Sequence, residues 1–296
     1  MTFSEPRLSI IVIFYNMRRE AARTLYSLSL PYQQAINPGD IEVIVIDNGS
    51  SEPLVPSTVK SFGPDFRYVY FETDSPSPVE AINHGVSISH SNNVAISIDG
   101  ARILSPGVLK YTLAALKVFA HPVIATFSFH LGPDVQNESI KNGYTGKVED
   151  ELLANANWER NGYELFNIAS LALSSRPGYL GSISESNFIA MPRSLFEAVG
   201  GVETRFQSPG GGLVNLDFYK RLVDHEKSQL VHILGEGTFH QIHGGVATNV
   251  PMEKHPRRQF ADEYRAIRNE DYSNTEQSPV FIGHMPTEAL RFVAKD

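Results

Sequence analysis

Residues 41–50 have the sequence Ile-Glu-Val-Ile-Val-Ile-Asp-Asn-Gly-Ser, in which a β-branched apolar run ends in turn-forming residues. The run predicts a strand over 41–46 that is buried on both faces, as strands of a parallel sheet are. Asp, Asn, Gly and Ser favour turns, so the chain is expected to leave the sheet there. Residues 8–15, Leu-Ser-Ile-Ile-Val-Ile-Phe-Tyr, predict another strand of the same kind.

Helical spacing alternates with strands through the first hundred residues. The pattern predicts helices at 16–30 and 78–89, and further strands at 67–71 and 94–98. Such alternation implies a parallel sheet with right-handed crossovers. Ligands of these sheets bind at the carboxyl ends of the strands, where this chain has three polar residues, Asn16, Asp47 and Asp99.

The second half of the chain is less regular. Its patterns predict strands at 123–129, 186–191 and 230–234 and helices at 108–119, 150–172, 193–199 and 217–225. The tail from Pro251 is polar and is expected to be partly helical. Trp158 and Tyr163 are either core residues or a platform for stacking a sugar. No linker is evident, so we expect one domain over 1–296.

Composition excludes several classes of protein. The 296 residues carry a net charge of −8, which argues against nucleic acid as a partner. There is no cysteine, so disulfides and thiolate metal sites are excluded. A polar start and the lack of any run of roughly 20 apolar residues predict a cytoplasmic protein without a transmembrane segment. Peripheral membrane contact is left open.

Three common catalytic or nucleotide-binding motifs are missing from the sequence. There is no G-x-G-x-x-G after the first strand, no G-x-x-x-x-G-K-[ST] and no G-x-S-x-G. A dinucleotide oxidoreductase, a P-loop NTPase and an α/β-hydrolase therefore lose their main support.

Four segments, in order, resemble the family 2 glycosyltransferases. They are residues 9–16, which end in Tyr15-Asn16; residues 42–50; residues 81–107, with Asn83 and Asp99; and residues 200–222, with Asp217. The resemblance implies the GT-A fold, the α/β fold of nucleotide-diphospho-sugar transferases, with a Rossmann-like, mixed, mainly parallel sheet flanked by helices. It also implies inverting transfer of a sugar from a nucleotide-diphosphate donor to a hydroxyl of a saccharide or glycolipid acceptor.

By the same resemblance, residues 1–107 are expected to form a nucleotide-binding half and residues 108–250 an acceptor and catalytic half. Residues 251–296 remain as a C-terminal tail. The implied setting is the synthesis of bacterial surface polysaccharide.

The resemblance assigns donor binding to six residues: Tyr15, Asn16, Asp47, Asn83, Asp99 and Arg102. For three of them there is a structural alternative. In this alternative, Asp47 is a turn residue whose side chain caps the local backbone, Tyr15 is an aromatic residue of the core, and Arg102 is an exposed surface arginine. Ile82 replaces an arginine that often precedes the asparagine in the family.

Asp99 corresponds to the first aspartate of the family's DxD motif, but Ala101 stands where the second aspartate usually lies. Charge on the leaving diphosphate must be offset by a metal ion or by basic side chains. We therefore predict a divalent cation, Mn²⁺ or Mg²⁺, held by Asp99. His243 and His240 resemble a late metal-binding histidine of some GT-A enzymes, and they are either further ligands of this cation or structural residues. In the alternative, Arg102 neutralises the diphosphate without a metal.

Asp217 is the predicted general base, because an acceptor hydroxyl must lose a proton during transfer. If Arg221 is aligned with the family's late arginine, however, Asn215 takes the position of the base. An amide does not accept a proton at neutral pH, which favours Asp217. Asp217 also suits a structural role at the start of a helix.

Two glycine-rich or polar segments complete the predicted site. The glycines at 210–212 let the backbone approach a sugar closely, and residues 246–260 are either a lid over the diphosphate or a disordered stretch. A GT-A-like nucleotide-sugar binding module that has lost catalysis is the alternative function, favoured by Ala101. A nucleotidyltransferase has less support, because it needs a glycine-rich loop after the first strand.

Overall fold

Ten strands and nine α-helices occupy residues 5–293, the part of the chain that the computed structural model describes. The strands are β1 (Leu8–Phe14), β2 (Ile41–Asn48), β3 (Phe66–Phe71), β4 (Asn93–Ser97), β5 (Arg102–Leu104), β6 (Pro122–Leu131), β7 (Ala169–Leu171), β8 (Phe188–Pro192), β9 (Gln229–His240) and β10 (Val280–Gly283). The helices are α1 (Arg18–Leu28), α2 (Pro56–Lys60), α3 (Val79–Ser87), α4 (Val108–Val118), α5 (Gln136–Ser139), α6 (Gly146–Ala156), α7 (Arg193–Ala198), α8 (Val214–Val223) and α9 (Arg257–Arg268).

All ten strands belong to one mixed sheet, with the order β10-β9-β6-β8-β4-β1-β2-β3. The strands β3, β2, β1 and β4 run parallel, as do β6, β9 and β10. Between these groups β8 is antiparallel to both β4 and β6, while β5 pairs with β9 and β7 with β6. Strands from both predicted halves and from the tail thus share one sheet, and the predicted mixed, mainly parallel α/β fold is confirmed.

The core lies on both faces of this sheet, as the apolar runs predict. Along β1, Ile11 and Ile13 enter one hydrophobic cluster, whereas Ile10 and Val12 enter the other. Helix α3 packs so closely on β1 that a Cβ at Gly85 would lie 2.6 Å from the Ile11 side chain. This contact explains the glycine in the Asn83-His-Gly85 segment.

The helix predicted over 150–172 is wrong beyond its first turns. Helix α6 ends at Ala156, and Asn157 adopts the left-handed conformation with φ of 50°. A short 3₁₀ segment and β7 follow it. Trp158 is buried against Tyr26 and Tyr32, so it is a core residue, and its burial turns the chain back toward α1.

The tail contributes more than the predicted partial helix. Helix α9 is joined by the edge strand β10, which pairs with β9 and is too short to give a recognisable pattern. Among residues 5–293 there is no helix with the length and apolar character needed to cross a bilayer.

Asp217 connects α8 to α9 from a buried position, with only 1% of its surface exposed. Arg221 Nε donates a hydrogen bond of 2.8 Å to its Oδ2 atom. Arg268 donates bonds of 2.6 Å and 2.8 Å to Oδ1 and Oδ2. Because Arg221 also donates to the carbonyls of Val199 and Gly201, the carboxylate organises three segments of the backbone.

We predict that Asp217→Asn lowers the free energy of unfolding by about 3 kcal/mol, because it leaves two arginines facing a neutral group. Urea denaturation followed by circular dichroism measures the change. The matched control is Asp262→Asn on α9, whose ion pair with Arg265 is exposed and is expected to contribute less than about 1 kcal/mol. Equal stability of Asp217→Asn and the parent protein would contradict a structural role.

Candidate active site

A cleft of about 610 Å³ lies at the carboxyl ends of β1, β2 and β4. Its walls come from the segments that follow these strands, the segment before β8, the start of α8 and the loop after β9. The lining includes Tyr15, Asn16, Asn48, Asp99, Arg102, Glu185, Asn215 and His243. The cleft therefore occupies the edge of the sheet that the strand-end rule predicts.

Asp99, His240 and His243 form a compact cluster beside this cleft. The Nε2 atom of His240 lies 2.9 Å from Asp99 Oδ2 and 3.1 Å from His243 Nε2. His243 Nε2 lies 3.8 Å from Asp99 Oδ1. Asp99 and His243 line the cleft, whereas His240 is fully buried behind them.

Backbone pairing brings these side chains together. Strand β5 is antiparallel to β9 and places Arg102 opposite His240, three residues beyond Asp99. The Ala101 N–H donates to Asp99 Oδ1 at 3.0 Å, and Gly100 N–H donates to the Ile13 carbonyl at 2.7 Å. Ala101 is itself fully buried, so the position of the missing second aspartate faces the core.

The protonation of His240 follows from its neighbours. Gln136 donates its amide N–H to the His240 carbonyl at 2.9 Å, which orients its Oε1 atom toward His240 Nδ1 at 2.7 Å. Nδ1 must therefore carry the proton, as inferred from its partner. Burial lowers the pKa of His240 to about 4, so the ring is neutral at physiological pH and its Nε2 atom has a free lone pair.

Asp99 remains a carboxylate in this cluster. Burial works against its charge, but His240 and His243, whenever a proton or a metal ion gives them positive charge, and Arg102 hold the pKa of Asp99 well below its usual range. The Asp99 Oδ2 atom and the His240 Nε2 atom lie 2.9 Å apart, so their contact is favourable only with a proton or a metal ion between them. The residues present thus fit a bound metal ion.

The spacing of the cluster also suits a cation of the Mn²⁺ or Mg²⁺ type. Its ligand atoms all lie within 4.8 Å of one another. Adjacent ligands of an octahedral ion at about 2.1 Å lie about 3 Å apart, close to the two shorter distances in the cluster. Hydrogen bonding of His240 Nδ1 to Gln136 is the outer contact that fixes a ligating histidine.

Arg102 is buried in the wall of the cleft. It does not occupy the exposed surface position that the structural alternative assigned to it. Its Nε atom lies 3.4 Å from Asp99 Oδ2. Neither Nε nor Nη1 has a hydrogen-bond partner within residues 5–293. Burial lowers the pKa of Arg102, although Asp99 and Glu185 oppose this change. Unsatisfied guanidinium donors in a cleft favour an anionic ligand such as a phosphate.

Tyr15 and Asn16 both line the cleft. The Tyr15 side chain is exposed, with 54% of the residue accessible, so it is not a core aromatic. Asn16 has a φ of 52°, and its Oδ1 atom accepts hydrogen bonds from Ser51 Oγ and Glu52 N, both at 3.1 Å. Asn16 thereby ties the end of β1 to the turn after β2.

Three residues predicted for donor binding or catalysis, Asp47, Asn83 and Asp217, do not line the cleft. Asp47 is buried and caps its own turn, accepting from Leu54 N at 2.7 Å and from Ser50 N at 3.3 Å. Asn83 pairs with the backbone of Val202. Asp217 makes the interhelical ion pairs described above.

The structure brings other residues to the cleft that sequence reasoning did not assign. Asn48 lines the cleft, and its Oδ1 atom is buried without a partner among the described residues. Glu185 precedes β8, and its Oε2 atom accepts a 2.7 Å hydrogen bond from Asn215. The turn after β2 could have identified Asn48, and the alignment of Arg221 could have identified Asn215. No pattern in the sequence indicated Glu185.

The segment predicted as a lid covers one side of the cleft. Val246, Thr248 and Phe260 are among its lining residues. The Oδ1 atom of Asn249 accepts the N–H groups of residues 243–245 at 2.9–3.0 Å. Asn137 donates to the carbonyls of residues 247 and 250 at 2.7 Å. The segment is thus ordered and tied to α5.

Solved structures define the class of fold. The chain aligns with TarS of S. aureus (TM-score 0.52, 14% identity, 80% of this chain and 37% of that one). It aligns with the mannosyltransferase PcManGT of Pyrobaculum calidifontis, in complex with GDP-Man and Mn²⁺ (0.52, 19%, 92% and 66%). It also aligns with glucosyl-3-phosphoglycerate synthase of Mycobacterium tuberculosis, in complex with Mn²⁺, UDP and glucosyl-3-phosphoglycerate (0.52, 15%, 90% and 82%). The fold is the GT-A fold.

A family model then gives the family itself. The model of glycosyl transferase family 2 matches residues 9–163, more than half of the chain, and the chain belongs to this family. No curated protein matches the chain in sequence. The chain spans 37% of the length of TarS and 60% of its 1–349 form.

We predict that His240→Ala weakens binding of Mn²⁺ by at least about tenfold, since even outer contacts of a metal ligand contribute that much. Titration of the free protein with Mn²⁺, followed by electron paramagnetic resonance, measures the affinity. His121→Ala, at an exposed histidine, is the control and should bind Mn²⁺ as the parent protein does. Unchanged affinity of His240→Ala would remove His240 from the metal site.

Proposed function

We propose that this protein is an inverting glycosyltransferase that moves a sugar from a nucleotide-diphosphate donor to a hydroxyl group of a saccharide or related acceptor. The observation that carries the proposal is the cluster of Asp99, His240 and His243 at the edge of the cleft, with Arg102 beside it. These residues supply what the departure of a diphosphate requires, namely a cation site and a free guanidinium.

A divalent cation bound by Asp99, His240 and His243 would neutralise charge on the diphosphate of the donor. Imidazole ligands suit Mn²⁺ better than Mg²⁺, since Mg²⁺ prefers oxygen ligands. PcManGT and glucosyl-3-phosphoglycerate synthase were both solved with Mn²⁺, which supports the same choice here. The two histidines take the place of the aspartate lost at Ala101.

We assign the rest of the donor to the part of the cleft formed by the ends of β1 and β2, which lie beside β4 in the sheet. Asn48 offers an unsatisfied acceptor and Tyr15 an exposed ring, and both are groups that fix a nucleobase and its ribose. Arg102 directs its free donors toward the diphosphate. TarS and PcManGT were solved with UDP-GlcNAc and GDP-Man, which supports a nucleotide sugar as the ligand.

The alternative of a binding module without catalysis rested on Ala101. Against that argument, His240 and His243 lie beside Asp99 in an arrangement that suits a cation. The glycines at 210–212 all have positive φ, and two of them line the cleft, which leaves room for a sugar beside the start of α8. A role in bacterial surface polysaccharide synthesis remains a prediction.

A thermal-shift screen of UDP-, GDP- and dTDP-sugars, each with and without Mn²⁺, tests the donor. A true donor at one hundred times its Kd stabilises the folded protein by about 2.7 kcal/mol, which is a shift of several degrees. We expect one nucleotide class to shift the melting temperature, and more strongly with Mn²⁺. The absence of a shift with every nucleotide sugar would contradict the proposal.

Arg102→Met tests the diphosphate contact separately. We expect it to weaken binding of the nucleoside diphosphate by about 10- to 100-fold, because a charge-assisted hydrogen bond contributes about 1.5–3 kcal/mol. Binding of the corresponding nucleoside monophosphate should change much less. Isothermal titration calorimetry measures both, and an equal loss for the two ligands would indicate a general disturbance of the cleft.

A further inference from the structure

Asp217, the general base predicted from the sequence, is not accessible for proton transfer in this structure. Asp217 is 1% exposed, lies outside the cleft and accepts three charged hydrogen bonds from Arg221 and Arg268. Proton transfer to such a carboxylate would require it to leave both arginines. The start of α8 that does reach the cleft presents Asn215, whose amide does not act as a base.

Among the cleft residues that the structure describes, the carboxylates are those of Asp99 and Glu185. Asp99 belongs to the cation cluster, with both of its oxygens facing histidine nitrogens. Glu185 is therefore the carboxylate in the cleft that has no role in the cation site.

The position of Glu185 is set by the sheet. Strand β8 is antiparallel to β4 with Phe188 opposite Ser97, so continuing this register brings the segment before β8 alongside the segment after β4. Its neighbours are fixed: Ser184 accepts from the Tyr272 hydroxyl at 3.2 Å, and Asn187 donates to Ser128 Oγ at 3.0 Å. Glu185 thus lies on a rigid segment at the same end of the sheet as Asp99.

Asn215 orients the Glu185 carboxylate without neutralising it. Its Nδ2 atom donates a 2.7 Å hydrogen bond to Oε2. Within residues 5–293 the Oε1 atom has no hydrogen-bond partner, and the residue is only half-buried. One oxygen is held while the other is free to accept a proton.

We infer that Glu185 is the general base of this transferase, oriented by Asn215, and that the base has moved from α8 to the segment before β8. The inference rests on the proposed function. The acceptor oxygen bonds to the anomeric carbon, and the bond from that carbon to the diphosphate oxygen breaks. Its electron pair leaves with the nucleoside diphosphate, and the hydroxyl proton moves to Glu185.

Glu185→Gln tests the assignment, because glutamine keeps the shape and can still accept from Asn215. The assay follows release of nucleoside diphosphate from UDP-glucose, UDP-GlcNAc, GDP-mannose and dTDP-glucose with Mn²⁺, where water serves as the acceptor. We expect kcat to fall by about 10²- to 10⁴-fold, as loss of a general base does. The affinities for the donor and for Mn²⁺, measured by calorimetry, should stay within about threefold of the parent values. Glu159→Gln, at an exposed glutamate, is the control.

Adding Asn215→Asp to Glu185→Gln places a carboxylate at the other end of the same hydrogen bond. We expect this double variant to recover at least about tenfold in kcat over Glu185→Gln. A Glu185→Gln protein with kcat within about threefold of the parent overturns the assignment, as does loss of turnover in folded Asp217→Asn alone. If the parent protein turns over none of these donors, the proposed function itself is contradicted, and the assignment of Glu185 as its base falls with it.

Discussion

The pairing of β5 with β9 is the constraint on which the site depends. Strand β9 runs parallel to β6 and then continues beyond a register shift, so that its last residue lies opposite Arg102. This antiparallel ladder adds to the pairing of His240 with His130 on β6, and it joins His240 to the segment that follows Asp99. His240 is therefore held by the sheet itself, whereas Asp99 and His243 lie in the short segments that adjoin β5 and β9.

The sequence predicted at which edge of the sheet the cleft lies more reliably than it predicted which side chains line the cleft. Long buried runs such as β1 and β2 give a clear pattern, and the polar residues after β1 and β4 do line the cleft. Strand β2, however, continues to Asn48 rather than ending at Ile46. Because neighbouring side chains of a strand point to opposite faces, Asn48 faces the cleft and Asp47 faces away.

The same reasoning explains how α8 places its two polar residues. Two residues along an α-helix differ by about 200° around its axis, so Asn215 and Asp217 cannot both face the cleft. Chemistry alone favoured the carboxylate, but the packing of α8 against α9 turns it inward. Glu185 could not be predicted for a different reason. Its presence in the same cleft as Asp99 depends on β8 being antiparallel to β4, and pairing over such a sequence distance leaves no local pattern.

The ordered segment after β9 has a consequence for how ligands enter. Asn249 and Asn137 anchor its first half to α5, and α9 anchors the chain beyond residue 257 through Arg268. Between these anchors, Glu253 accepts a 3.0 Å hydrogen bond from Lys141, so this part of the segment is held as well. Tyr15 and Leu173, two exposed apolar side chains, line the cleft on segments outside this anchored stretch, so the cleft is open to solvent beside them without any movement of the segment.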